Sequence, residues 1–377
     1  MLVKHSLWCV RLWCVWLLAA TGGVCAGEVV SGEALRWVPE GPYSTFSARG
    51  GMLETTGVAG YPNWVRSERE YENVRVRFEY KLSQWTEAAI VLRAPRSERP
   101  LRAGIALYLA DDFRREDTAY TTGSVMGVLK PRKQLPQSYE QWHKAEVELR
   151  GERLRFVIDG ETMQDVEMSA VEGLRDKPKR GYIGFPDLLH AYSVRGLEIE
   201  ELPGETAHVN LWNGRDVRGW AARGAGEWAV RDGAIVGAHS DGILYAPGAF
   251  RDFVLEAQFR SRAHVNSGIF VRGDAEGAQR GFELQIYSIP DAAYTTGSVY
   301  GVARSKVTDL YEDRWVHLQA RVAGRQVKVW LDGELVSETA ELPQQYVRAG
   351  RVGLQIHSIN SSVEFRDLRV WPMEGSR

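Results

Sequence analysis

Residues able to move protons or hold a sugar gather in three strand-like stretches of the second half of the chain. In Gly281-Phe-Glu-Leu-Gln-Ile-Tyr287, the two-residue period of a strand sends Phe282, Leu284 and Ile286 to a core and Glu283, Gln285 and Tyr287 to the opposite face. In Asn266-Ser-Gly-Ile-Phe-Val-Arg272 the same alternation buries Ile269 and Val271, leaves Phe270 and Arg272 on the other side, and sets Asn266 at the strand mouth. Near the C-terminus Gln355 and His357 point away from Val352, Leu354 and Ile356. One concave, sugar-sized site is the simplest arrangement that uses all of these groups. A carboxylate on a pocket wall can be tuned by burial toward working pH, and an imidazole titrates near neutrality. Glu283 and His357 are therefore the catalytic candidates, and Asn266, Arg272, Gln285, Tyr287, Tyr300 and Gln355 the substrate-binding candidates.

Each assignment has a plainer competitor. Glu283 and Arg272 could form a salt bridge that only shapes the wall, His357 could be a hydrogen-bonding wall residue, and Trp212 and Trp220 could pack in the core instead of stacking on a sugar. Ordinary glycoside hydrolysis needs two carboxylates flanking the bond, and Glu283-Leu-Gln285-Ile-Tyr287 offers one. No P-loop, His-Glu-x-x-His or Gly-x-Ser-x-Gly is present. Arg272-Gly273-Asp274 spells an adhesion tripeptide, but the strand it ends already accounts for the arginine. No cofactor is indicated. Glu, Asn and Gln oxygens would suit Ca²⁺, yet no ligand spacing for it can be seen.

The elements that position these groups are repeated. Ala119-Tyr-Thr-Thr-Gly-Ser-Val-Met-Gly-Val128 returns 174 residues later as Ala293-Tyr-Thr-Thr-Gly-Ser-Val-Tyr-Gly-Val302. Trp142 answers to Trp315, Gly151 to Gly324, Asp159-Gly160 to Asp332-Gly333 and Arg93 to Arg272. Both halves alternate like short strands, and each Asp-Gly pair sits between two such runs as a hairpin turn. No long stretch keeps helical periodicity. Two sandwich or jelly-roll domains follow, spanning 27–203 and 204–377, with the boundary near Pro203-Gly204.

A length of 377 residues suits two domains, and a formal net charge of −2 argues against a nucleic acid or anionic membrane surface as the main partner. The 13 Trp and 15 Tyr point weakly to sugar faces. Residues 1–26 follow the plan of a secretory signal peptide: Lys4 and Arg11, the apolar run Leu12 to Ala20, then small residues ending Val24-Cys25-Ala26. Arg11 leaves too few apolar residues for a membrane span, and Gly22-Gly23-Val24 is a poor lipobox for acylation of Cys25. Cleavage after Ala26 would remove Cys9, Cys14 and Cys25, leaving an exported, periplasmic or extracellular protein without disulfides.

In the second half, Leu211-Trp-Asn-Gly-Arg-Asp-Val-Arg-Gly-Trp220, Trp228-Ala-Val-Arg-Asp-Gly233, Phe250-Arg-Asp-Phe253, Asn266-Ser-Gly-Ile-Phe-Val-Arg272, Gly281-Phe-Glu-Leu-Gln-Ile286, Thr296-Gly-Ser-Val-Tyr-Gly301, Gly353-Leu-Gln-Ile-His357 and Phe365-Arg-Asp-Leu368 occur in one order. That ordered set resembles the 3-keto-disaccharide hydrolase domain family, formerly a domain of unknown function. The resemblance implies an all-β chain of two tandem concanavalin A-like jelly-roll β-sandwiches, the second copy being the closer match. It also implies cleavage of 3-keto-glycosides: a ketone at C3 acidifies the C2 proton, a base removes it, the glycosidic oxygen leaves C1, and water adds later. One base, one acid and donors for the enolate oxygen suffice. Glu283 or His357 could be base or acid, and Arg272, Asn266 or Gln285 could hold the enolate. A sugar 3-oxidoreductase would supply the ketone. The alternative, from another class, is a non-catalytic carbohydrate-binding tandem module.

The first copy keeps the scaffold and loses the polar face. Glu87-Ala88-Ala89 stands for Asn266-Ser267-Gly268, Ala106 for Glu283, Tyr108 for Gln285 and Pro186 for Gln355. His190 is a possible substitute for His357. A degenerate first domain beside a competent second one is the expectation.

Overall fold

A computed structural model describes residues 29–112, 116–135, 139–204, 206–274, 281–289, 292–307, 309–357 and 359–373. The segment read as a signal peptide lies outside them. Among the described residues no helix is long and apolar enough to cross a membrane.

The chain forms two tandem jelly-roll sandwiches, each pairing an eight-stranded sheet with a five-stranded one. All pairings between the named strands are antiparallel, as expected of short alternating runs joined by Asp-Gly hairpins. Asp159 and Asp332 occupy the left-handed region at φ 50 and 47, and a glycine with positive φ follows each. The two cores are separate clusters. In the second copy Phe253, Leu255, Phe259, Val316 and Leu318 of the large sheet meet Leu244, Ile269, Leu284, Leu354 and Ile356 of the small one. Alternation then leaves Glu283, Gln285, Gln355 and His357 on the outer face of the small sheet.

That small sheet runs Ala221–Gly224, Asp241–Tyr245, Arg351–His357, Asn266–Gly273 and Phe282–Tyr287. The first copy repeats the order with Trp37–Glu40, Trp64–Ser67, Tyr182–Pro186, Glu87–Ala94 and Ile105–Ala110. Register fixes the correspondence between copies. Gly184 faces Val91 as Gly353 faces Phe270, so Pro186 stands at the place of Gln355 and Leu188 at that of His357. His190 is not the counterpart of His357.

The copies dock through the outer face of the second large sheet. Glu256, Gln258, His317, Gln319 and Arg369 are buried there. Arg369 makes a two-pronged contact with Glu70 at 2.5 and 2.7 Å, Gln319 donates to Asp176 O at 2.6 Å, and Ser97 Oγ meets Asp332 Oδ1 at 2.7 Å. Burial alone would raise the Glu70 carboxyl, but the Arg369 guanidinium outweighs it and holds the group below its ordinary value of 4.5. A depressed carboxylate contributes stability that is present above its unfolded pKa and lost as pH falls through the folded one. We therefore expect the docked form to weaken below about pH 4.5. Glu70→Gln should remove that acid dependence and lower stability by about 2 kcal/mol at neutral pH, the worth of a hydrogen bond to a charged group, read by denaturant melts across pH.

Candidate functional site

The register lays the outer face of the second small sheet out as a grid. Ile243, Gln355, Gly268 and Gln285 are consecutive cross-strand partners, as are Tyr245, Gly353, Phe270 and Glu283 in the next row. Over this grid lies a pocket of about 530 Å³, large enough for a disaccharide-sized ligand. Asn266, Glu283, Gln285, Tyr300, Gln355 and His357 all line it, together with Phe270, Phe282, Gln345 and Tyr346.

At its centre is the Glu283 carboxylate, which lies across the neighbouring strand instead of standing up from its own. A Cβ on Gly268 would come within 2.4 Å of Glu283 Oε1 and 2.9 Å of its Cδ. Only glycine leaves that room. The Gln285 amide, oriented as its neighbours require, donates to Glu283 Oε1 at 2.8 Å and to Ser267 O at 3.2 Å. On the other side Gln355 is buried, and its Oε1 has no hydrogen-bond partner among the described residues. Tyr300 is 54% exposed at the rim, with its ring 5.3 Å from that of Tyr294. Tyr346 packs edge-on against Phe282 at 5.9 Å.

His357 marks the open end. Its Cα is two strands over and four residues along from that of Glu283, ~16 Å by ordinary sheet spacing. The lean of the carboxylate over Gly268 shortens the gap to His357, leaving space between the two groups for a substrate. Asp241 is the cross-strand partner of His357, with Oδ1 3.9 Å from its Nδ1. Asp241, Gln345 and Tyr346 were not foreseen from sequence. The first is revealed by strand order alone, and the other two come from a short 3-10 turn, Gln344–Tyr346, that has no periodic signal.

Two expected binding residues are elsewhere. Tyr287 continues the Glu283 face but is not part of the pocket wall, and its N–H is held by Thr296 Oγ1 at 3.0 Å. Arg272 is fully buried and leaves the strand alternation because its φ is +57, beside a register shift between Phe270 and Gly273. Its guanidinium donates to Arg251 O at 2.6 Å, Gly324 O at 2.8 Å, Tyr346 O at 3.1 Å and Asp252 Oδ1 at 3.0 Å. It therefore neither faces the pocket nor pairs with Glu283, and it is not displayed as part of an adhesion tripeptide. Arg93 repeats the arrangement in the first copy, with φ +47 and bonds of 2.9 Å to both Glu72 O and Gly151 O. The repeated Thr-Thr-Gly-Ser segment is scaffold as well. Thr122 clips Ala110, and Thr296 clips Tyr287, by paired bonds to the strand backbone. Trp212 is 8% exposed, with its indole N–H on Gly233 O at 3.0 Å, and Trp220 packs on the core.

On the first copy the equivalent face is filled. Trp64 takes the place of Ile243 by register, and with Ala89, Val91, Ala106 and Leu101 it forms an apolar cluster against which Met126 and Leu188 pack. Leu101 comes from a one-turn helix, Pro100–Ala103, inserted before the edge strand.

A family model for the 3-keto-alpha-glucoside-1,2-lyase-like domain matches the chain twice, over residues 27–200 and 207–371. No curated protein matches the chain. Among solved structures, an inferred glycosyl hydrolase from Parabacteroides distasonis shares 14% identity at a TM-score of 0.38, covering 42% of this chain and 85% of that one. The carbohydrate-binding module CBM66 from Bacillus subtilis shares 17% at 0.31, covering 40% and 94%. A Bacillus subtilis protein of unknown function with a galectin-like fold shares 13% at 0.34, covering 45% and 96%.

The buried guanidinium gives a direct test of which groups shared by both copies are scaffold. Arg272→Ala would strand three carbonyls and the Asp252 carboxylate without their donor, so we expect a loss of ~3 kcal/mol or more in chemical denaturation. A stable but inactive variant would return Arg272 to the site.

Proposed function

Because both halves of the chain belong to the 3-keto-alpha-glucoside-1,2-lyase-like domain family, we propose that the second copy cleaves 3-keto-glycosides. The observation that carries this reading is the carboxylate of Glu283, the one carboxylate among the described residues that line the sugar-sized pocket, laid over Gly268. One carboxylate is too few for ordinary glycoside hydrolysis and enough for an elimination.

Glu283 is the base. It takes the proton from C2, and the electron pair moves into the C2–C3 bond as the ketone becomes an enolate. The enolate then expels the glycosidic oxygen from C1, giving an unsaturated keto sugar and, once that oxygen is protonated, a free alcohol. Water added to the double bond completes a net hydrolysis. Arg272 is structural and the Gln285 amide is engaged by Glu283, so enolate stabilisation falls to Asn266 at the strand mouth. His357, exposed and beside Asp241, supplies the proton to the leaving oxygen. The ketone is made beforehand by an oxidoreductase acting on the sugar, and the protein works after export.

The test is to offer purified protein 3-keto-disaccharides and their unoxidised parents. Release of a monosaccharide only from the keto sugars is expected. Binding without release from either set would sink the enzyme reading in favour of a carbohydrate-binding module. Glu283→Gln should lower turnover by roughly 10²- to 10⁴-fold at nearly unchanged melting temperature. Gly268→Ala, by pushing the carboxylate aside, should lower it by about 10²-fold with Glu283 still present.

A further inference from the structure

The surroundings of Glu283 contain a polar atom that the reaction as described does not use. Gly268 has Gln285 directly opposite it on one neighbouring strand and Gln355 directly opposite on the other. Directly opposed residues hold their Cβ atoms about 5 Å apart. The Glu283 carboxyl fills the space where a Cβ on Gly268 would be, so it lies between the two glutamine side chains. They are not equivalent. Gln285 presents its N–H to Oε1, whereas the Oε1 of Gln355 is buried and receives no hydrogen bond among the described residues. A buried acceptor left unmatched is costly, and an ionised carboxylate cannot satisfy it, having no hydrogen to give. A protonated one can.

We propose that Gln285 and Gln355 are opposed positioning residues that poise Glu283 between its two protonation states. Gln285 donates to the carboxylate and favours the charged form before proton transfer. Gln355 accepts from the carboxylic acid and favours the form that exists after the C2 proton has arrived. The proton taken from the substrate thus has a prepared resting place on the carboxyl oxygen facing Gln355, until it passes back or on to solvent. Among the described residues, the other titratable groups that line the pocket are His357 at its open end and Tyr300 and Tyr346 at the rim, with Asp241 beyond His357. This assignment rests on the reading of Glu283 as the base.

Two substitutions that keep volume and remove polarity separate the roles. With full-length protein carrying ¹³C-labelled glutamate, the Glu283 carboxyl resonance is identified by its loss in Glu283→Gln and titrated directly. In Gln285→Met the carboxylate loses a donor, so its midpoint should rise by about one pH unit. In Gln355→Met the acid loses its acceptor, so the midpoint should fall by about one pH unit, with melting temperature unchanged or higher because only an unmatched acceptor is lost. The acid limb of the kcat/KM profile on keto sugars should move with each midpoint. Shifts in the same direction, no shift in Gln355→Met, or a marked loss of melting temperature in that variant would overturn the proposal. The titration does not depend on turnover. A wild-type protein inert toward keto sugars would remove the proposed reaction, while the two midpoints would still decide whether the glutamines oppose one another.

Discussion

An arginine with no access to water must find a partner for each of its donors, and in both sandwiches that requirement closes the end of the small sheet. Arg272 gathers carbonyls from the segment entering the large sheet, from the Gly324 hairpin and from the turn that carries Tyr346, while Asp252 accepts from its other terminal nitrogen. Arg93 does the same with Glu72 and Gly151. Because the donors are fixed in one plane, the segments they meet are fixed relative to each other. One of those segments supplies a pocket wall. The site in the second copy is therefore held in shape by a residue that never faces it.

With the frame held in this way, the two outer faces were free to diverge. In the second copy a glycine beneath a carboxylate and a glutamine on either side make a polar, hydrogen-bonded floor. In the first copy alanine replaces that glycine, alanine replaces the glutamate, and Trp64 with Leu101 covers what remains. These changes depend on one another. Once the carboxylate is gone the glycine has no function, and once the floor is apolar it gains by being covered.

Much of this could be read from the chain alone. The tandem repeat, the sandwich class and the face on which Glu283, Gln285, Gln355 and His357 lie follow from self-comparison and two-residue alternation, which are local properties. Arg272 was misplaced by the same rule, because alternation assumes extended backbone and φ +57 breaks it. Its persistence in both copies beside a lost polar face was the clue that it belonged to the frame. The lean of Glu283 over Gly268, the approach of Asp241 to His357 and the wall formed by Tyr346 depend on which strands become neighbours. That order is set by long-range packing. Leu188 standing at the place of His357 is of the same kind, since a register is invisible until both partners are known.

The docking of the copies is placed on the back of the second sandwich, on its eight-stranded sheet, while the pocket opens from the five-stranded sheet on the other side. Among the described residues, none from the first copy lines that opening. Repeated sugar-binding folds commonly gain avidity by presenting several mouths to one glycan. Here duplication has produced a mount: the first sandwich, its own small-sheet face sealed, is clamped behind the large sheet that supports the second copy's site. Among the described residues the polar small-sheet face occurs once, so its valency is one.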